Sequence, residues 1–234
     1  MSTRRCGPTV TEFRRCEAHA HGGIAIAMLR CRVLRVATIS DDTEAEGPGR
    51  RWSLWVQGCT IRCPGCCNPE MFGKDGGNEM SIDALVYRMR AAKAKGVEGI
   101  SVLGGEPFEQ AIGVAAVARA AHALGLTVMV YSGYRLAELR DREDSAPLLA
   151  EINLLVDGRY DRDQPEPAPP VGRRWLGSTN QTIHYLTDKY TADDPRLHEA
   201  NTVEFHWSKG QLLVNGWPAG ADAMKSLLRK TTRR

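Results

Sequence analysis

Gly99-Ile100-Ser101-Val102-Leu103-Gly104-Gly105-Glu106-Pro107 reads as a short buried strand, a glycine turn and the opening of a helix. Pro107 stands where a first helical turn tolerates a residue without a backbone N–H. Residues 111–124 continue that helix to Gly125, and residues 126–131 form the next strand. Working outward toward the N-terminus, Ser81 caps a helix running to about Lys95, with Leu85, Val86 and Met89 on one face and Gly96 as its stop. Residues 52–57 read as a strand in which Trp52, Leu54 and Val56 alternate with Ser53 and Gln57. Cys31, Val33, Leu34, Val36 and Ile39 suggest a first strand, with residues 41–51 as a polar loop around Gly47-Pro48-Gly49. Toward the C-terminus, residues 135–140 form a short helix and residues 152–156 another apolar strand. Strands alternating with helices imply a parallel sheet with right-handed crossovers. Residues 161–173 hold four prolines and form an irregular loop. Residues 202–207 and 211–214 then flank Ser208-Lys209-Gly210 as a β-hairpin, and residues 219–230 read as a closing helix.

The chain has 234 residues, of which 42% are hydrophobic and 25% charged, enough apolar side chain for a sizeable core without disulfide or metal staples. No apolar run approaches a membrane span, and residues 22–29 are too short, and lack a cleavage site, for a signal peptide. Collagen-like, low-complexity and membrane classes are excluded, and no membrane partner is expected. The net charge of +3 is uneven, with +5 in residues 1–36, +5 in residues 225–234 and −7 between them. A nucleic-acid binder carries its basic stripe on the folded body. Here the basic residues lie at the two ends, which reads as solvated tails, so nucleic acid is not an expected partner. Residues 1–28 read as an extension, and Met28 is a candidate start of translation.

Four of the seven cysteines crowd into Gly58-Cys59-Thr60-Ile61-Arg62-Cys63-Pro64-Gly65-Cys66-Cys67. Disulfide frameworks spread their cysteines along the chain, whereas metal sites cluster them, and a reducing cytoplasm is the natural compartment. The spacing C-x3-C-x2-C lets one loop present three thiolates, with Pro64 and Gly65 turning the backbone tightly. Structural zinc needs four ligands, usually as two separated C-x2-C pairs, and only one such pair is present. A 4Fe–4S cluster held by Cys59, Cys63 and Cys66 keeps one iron free for another ligand, as a catalytic centre requires. Cys67 reads as a packed or free thiol, and Cys6, Cys16 and Cys31 as ordinary thiols.

C-x3-C-x2-C in a loop after an early strand, followed by a strand ending in Gly104-Gly105-Glu106-Pro107, resembles the radical S-adenosylmethionine superfamily. The resemblance implies an incomplete (β/α)6 partial TIM-type barrel of α/β class, with the cluster at the C-terminal mouth of the strands. It implies two cofactors, a 4Fe–4S cluster and S-adenosyl-L-methionine, whose reductive cleavage yields methionine and a 5′-deoxyadenosyl radical. It also implies that Gly104, Gly105, Glu106 and Pro107 bind the amino group of S-adenosylmethionine. On that reading, Gly105→Val weakens cofactor binding and leaves the cluster intact. Ser132, in Ser132-Gly133-Tyr134 after a strand, is placed by the resemblance near the methionine or ribose part. Asp157 and Arg159, in Asp157-Gly158-Arg159 after the next strand, are further cofactor candidates, since a cation there can hold a carboxylate. No catalytic side chain is singled out.

A closer similarity covers Glu46-Gly47-Pro48-Gly49-Arg50-Arg51, Val56-Gln57-Gly58, Tyr131-Ser132-Gly133-Tyr134, Val156-Asp157-Gly158-Arg159-Tyr160 and the stretch from Trp175 through Gly177-Ser178-Thr179-Asn180-Gln181 to His184. In order, these segments resemble the activating enzymes of anaerobic (class III) ribonucleotide reductases. That implies a glycyl radical protein as partner, class III ribonucleotide reductase or a relative, and a reduced flavodoxin or ferredoxin as electron donor. Read alone, the Gly177 to Gln181 segment offers small polar residues able to cap or line a rim, and His184 reads as structural. The expected organisation is a basic extension at 1–28, a radical core at 29–186, and a hairpin, helix and basic tail at 187–234. Two alternatives stay open: a radical enzyme acting on a small molecule, and a non-enzymatic zinc-binding interaction module.

Overall fold

The computed structural model describes residues 33–208 and 211–216. The expected extension at 1–28, Cys6, Cys16 and Cys31, the closing helix and the basic tail lie outside the described residues. The strands are β1 (Val33–Thr43), β2 (Arg51–Val56), β3 (Asn78–Ser81), β4 (Gly99–Gly104), β5 (Thr127–Tyr131), β6 (Leu154–Asp157) and β7 (Thr182–Tyr185). They form one sheet in the order β3-β1-β2-β4-β5-β6-β7. Strands β2, β4, β5 and β6 are parallel neighbours. Strand β1 runs antiparallel to β2 and β3, and β7 antiparallel to β6. The helices are α1 (Ile82–Ala94), α2 (Ala111–Ala123), α3 (Leu136–Arg140) and α4 (Ala146–Leu149). A separate antiparallel pair, β8 (Val203–Ser208) and β9 (Gln211–Gly216), is the expected C-terminal hairpin. The α/β partial-barrel class is therefore as expected, and its sheet is completed by antiparallel strands on both flanks. Strands β3 and β7 and helix α4 were not anticipated, because four residues apiece carry too little periodicity to read.

Successive strand residues face opposite sides. On one side Trp52, Leu54 and Val56 join Ile100, Val102, Val128, Val130 and Leu155 against Leu85 and Met89 of α1 and Val114 and Val117 of α2. On the other, Met129, Leu154 and Val156 cluster with Trp175, Leu176, Tyr190 and Leu197. Both faces are covered, which explains why all six residues of β2 are buried although its sequence alternates. Helix α1 begins as read, with Ser81 Oγ accepting from Ala84 N at 3.2 Å. Pro107 opens a 3-10 turn, Pro107–Gln110, which leads into α2.

The expected polar loop at 41–51 differs. Strand β1 extends through Thr43, and Ala45, Glu46, Gly47 and Pro48 are buried. The cause is Arg51, whose side chain is fully buried at the N-terminal ends of β2, β4 and β5. Its guanidinium donates to Ser101 Oγ at 2.7 Å, Pro48 O at 3.1 Å, Thr127 Oγ1 at 3.2 Å and Tyr190 Oη at 3.2 Å, and also to Ile100 O. Burial lowers its pKa, with Tyr190 opposing that shift. Arg51→Met should cost about 3 kcal/mol, because several buried oxygens lose their donor together. Urea unfolding, compared at constant m, measures this.

Candidate metal centre and cofactor cavity

Strand β2 delivers the chain into the cysteine loop. The loop is pinned at its start by Gly58 N to Met71 O at 2.9 Å and Cys59 N to Phe72 O at 3.2 Å. Gly58, Arg62 and Gly65 all have positive φ, so the backbone coils tightly between the cysteines. Cys66 N donates to Cys63 O at 3.1 Å, and Asn68 N donates to Cys66 Sγ at 3.4 Å. The loop is tied to the turn after β4 by Thr60 N, which donates to Glu109 Oε1 at 2.7 Å. Burial pushes the Cys59 and Cys63 thiols up. A hydrogen bond between Cys67 and Cys66 pulls Cys66 down to about 7 and raises Cys67.

Cys59, Cys63 and Cys66 line one cavity of about 550 Å³ at the C-terminal ends of the parallel strands, and Cys67, expected as a packed or free thiol, lines it as well. That is where α/β folds place ligands. Trp55, Leu103 and Tyr131, near the ends of β2, β4 and β5, line it too. Gly104, Gly105, Glu106 and Ser132 share the same cavity, so the structure brings these predicted residues to the thiols.

Gly105 and Glu106 form the seam between the glycine turn after β4 and the cysteine loop. Gly105 N donates to Val56 O at 2.7 Å and Glu106 N to Gly58 O at 2.8 Å. A Cβ on Gly105 would lie 2.2 Å from Gly58 O. The close approach that requires glycine here is therefore to the cysteine loop itself. The Glu106 side chain is 1% exposed and accepts from Phe108 N, Ser132 Oγ and Gly133 N, each at 2.9 Å. One carboxylate thus fixes the turns after β4 and β5 relative to each other. Burial nevertheless raises its pKa to about 7 against those three donors.

Pro107, Asp157 and Arg159 are not among the residues lining the cavity. Asp157 Oδ2 caps α3 by accepting from Leu136 N at 2.5 Å. His184 Nε2 stands 2.8 Å from the same oxygen, within ion-pair range but outside hydrogen-bond geometry. Arg159 pairs with Glu138 at 3.0 Å over the Tyr134 ring. The Gly177 to Gln181 segment caps a rim. Gln181 Oε1 accepts from Gly177 N at 2.9 Å and Ser178 N at 3.1 Å, while its Nε2 donates to Gly158 O at 3.0 Å. Gly177 and Gln181 both line the cavity.

Sequence reasoning singled out no role for Glu46, Trp175, Asn201 or Asn215, all of which line the cavity. Glu46 and Trp175 lie in stretches quoted only for their similarity, and residues 201 and 215 carry no motif. Glu46 Oε1 accepts from Gly216 N at 2.9 Å, 170 residues away. Burial raises the Glu46 carboxyl to about 7, with Glu204 adding to the shift and the Gly216 N–H opposing it. The folded chain therefore holds this proton up to about pH 7, whereas the unfolded chain releases it near the ordinary 4.5. The associated stability is complete below the lower value and lost as pH rises through the upper. Glu106 acts in the same direction. Glu46→Gln is expected to flatten, without abolishing, the fall of Tm between about pH 4.5 and 7. The difference amounts to at most ~3 kcal/mol. Tm measured across that range tests it.

The donor set fits a thiolate-bound iron–sulfur cluster: four cysteines of one tightly turned loop line one cavity, the three spaced C-x3-C-x2-C with Cys67 beside them, and glycine backbone alongside. No group of three or more His, Cys, Asp or Glu residues among the described residues is gathered to hold a single metal ion. Residues 45–184 match the 4Fe-4S single cluster domain, and the chain belongs to that family, whose radical S-adenosylmethionine type agrees with the cavity just described. More particularly, it is related to the anaerobic ribonucleoside-triphosphate reductase-activating proteins. It is 33% identical over 149 residues to the protein of that name from Vibrio cholerae, which covers 60% of this chain and 91% of the relative. The Salmonella typhi protein is 34% identical and the Escherichia coli K12 protein 31% identical, with the same coverage. The family match decides against the zinc-binding module. No helix among the described residues is long and apolar enough to cross a membrane.

Proposed function

We propose that this protein is an activase that installs a glycyl radical on a partner protein, class III ribonucleotide reductase or a close relative. The observation that carries the reading is the meeting of Cys59, Cys63 and Cys66 with the Gly104 to Glu106 turn on one cavity, in a chain whose relatives are named reductase-activating proteins. A 4Fe–4S cluster held by Cys59, Cys63 and Cys66 would supply the electron for reductive cleavage of S-adenosylmethionine, and with it the means of taking a hydrogen atom from the target glycine. The protein's own part is to hold, orient and exclude water. Cys59, Cys63 and Cys66 bind the cluster. Gly104, Gly105 and Ser132 offer close backbone and a small hydroxyl to the methionyl end. Glu106 keeps the turns that carry them in register. Pro107 sets the turn that follows. Asp157 and Arg159 act from behind the cavity, through α3 and Glu138, as positioning residues. A reduced flavodoxin or ferredoxin of the cytoplasm is the electron donor.

The test combines anaerobically reconstituted protein, a reductant, S-adenosylmethionine and a class III reductase. The expected result is a glycine-centred doublet on the reductase by electron paramagnetic resonance, with 5′-deoxyadenosine formed. Cofactor cleavage with every glycyl radical partner silent would transfer the assignment to a small-molecule substrate.

A further inference from the structure

Three side chains that line the cavity carry buried polar atoms with no hydrogen-bond partner among the described residues. Asn215 is 2% exposed, and neither its Nδ2 nor its Oδ1 has a partner among the described residues. Asn201 Nδ2 and Trp175 Nε1 are equally sealed and unpaired. All three residues line the same cavity as the cysteines. Buried amides and indole N–H groups are rarely left unpaired, because each has given up its water for nothing in return.

The three are held together by the packing of the C-terminal hairpin. Gly216 N donates to Glu46 Oε1 at 2.9 Å, and Glu44 N donates to Glu204 Oε1 at 2.7 Å, so the hairpin is moored to the loop before β2. Arg174 stacks on the Trp175 ring and donates to Thr202 Oγ1 at 3.0 Å and Glu199 Oε2 at 2.9 Å. That bond network brings Trp175 to the strap before β8. Asn215 lies opposite Glu204 in the β8–β9 ladder, and Asn201, three residues before Glu204, lines the same cavity. This wall lies beyond residue 184, where the family match ends, except for Trp175.

We infer that the C-terminal hairpin completes a peptide-binding wall, in which Asn215, Asn201 and Trp175 read the backbone amides of an extended polypeptide segment entering the cavity. The unpaired inventory is three N–H donor groups and one carbonyl acceptor, all uncharged, which matches a peptide's neutral C=O and N–H groups. Among the described residues lining the cavity there is no lysine or arginine, so the wall offers no counter-charge to a phosphorylated or polycarboxylate small molecule. The inference rests on the activase reading above and specifies which residues meet its protein substrate.

The test uses the full chain, anaerobically reconstituted, with S-adenosylmethionine. The probe is an N-acetylated, C-amidated alanine heptapeptide with glycine at its centre, titrated by calorimetry. Wild-type protein should bind it. Asn215→Leu should weaken binding about tenfold, and Asn201→Leu about threefold, with Tm unchanged or raised. Deleting an amide that is unpaired in the free protein removes a desolvation penalty and breaks no internal bond. Failure of the wild-type protein to bind the peptide overturns the inference. So does unchanged affinity in Asn215→Leu, and so does a fall in Tm or failure to fold, which would mean that the protein itself holds the amide. Formation of 5′-deoxyadenosine is recorded in a separate sample without peptide, to which a one-electron reductant such as dithionite is added. Its absence would sink the activase reading and leave the binding result to stand on its own.

Discussion

Anaerobic reconstitution of the Cys59→Ala, Cys63→Ala and Cys66→Ala proteins is expected to leave each of them colourless, without bound iron and sulfide. The three thiols come from one loop facing one cavity, so losing any one leaves only two protein ligands. Cys67→Ala is expected to retain the cluster. Its thiol hydrogen-bonds the adjacent Cys66 and falls outside the C-x3-C-x2-C spacing, although it lines the same cavity. Iron and sulfide analysis after gel filtration decides the matter. A colourless Cys67→Ala protein, or a brown one lacking any of the other three, would overturn the ligand assignment.

Gly105→Val is expected to have the second largest effect, and of a different kind from the one the sequence suggests. Read as a residue that lets a ligand approach, Gly105 should affect cofactor binding alone. In the structure the added Cβ meets the Gly58 carbonyl at 2.2 Å, one residue before Cys59. The carbonyl is main chain and a Cβ is fixed by its own backbone, so neither can swing aside. The bonds Gly105 N to Val56 O and Glu106 N to Gly58 O would part as well. The variant should therefore lose the cluster along with the cofactor, and lose about 3 kcal/mol of stability or more. Gly125→Ala is the control. It has positive φ but nothing within 4 Å of the added Cβ, so it should cost only ~1 kcal/mol and keep the cluster. A stable, cluster-bearing Gly105→Val protein with impaired cofactor binding would restore the ligand-approach reading.

What can be read along the chain is what depends on near neighbours. Strands β4, β5 and β6 show as apolar runs because both their faces are covered, and β2 shows through its alternation. Ser81 and Gly96 mark the ends of α1 by local chemistry. The cysteine loop announces itself through spacing alone. Features that depend on distant partners are silent. The burial of residues 45–48 needs Arg51 seated under β4 and β5. The raised pKa of Glu46 comes from burial in the folded chain, against which the Gly216 N–H works. Arg159 reads as a free cation until the fold supplies Glu138, and Asp157 as a free acid until the fold supplies the start of α3. Asn201 and Asn215 belong to no motif, and only packing places them on the cavity.

The seam between the cysteine loop and the glycine turn has a consequence for engineering. Because those contacts run from main chain to main chain, the loop carries little of its own address. Grafting residues 58–67 onto another scaffold would transfer the thiols without the surface against which they are set. A transplant that works would have to carry β2 and β4 as a registered pair, with Val56 opposite Gly104, and Glu106 to hold the next turn. By the same logic, loop side chains other than the cysteines and glycines are open to redesign, so long as Thr60 keeps its backbone N–H for Glu109. The portable unit is a strand pair, and the loop is its cargo.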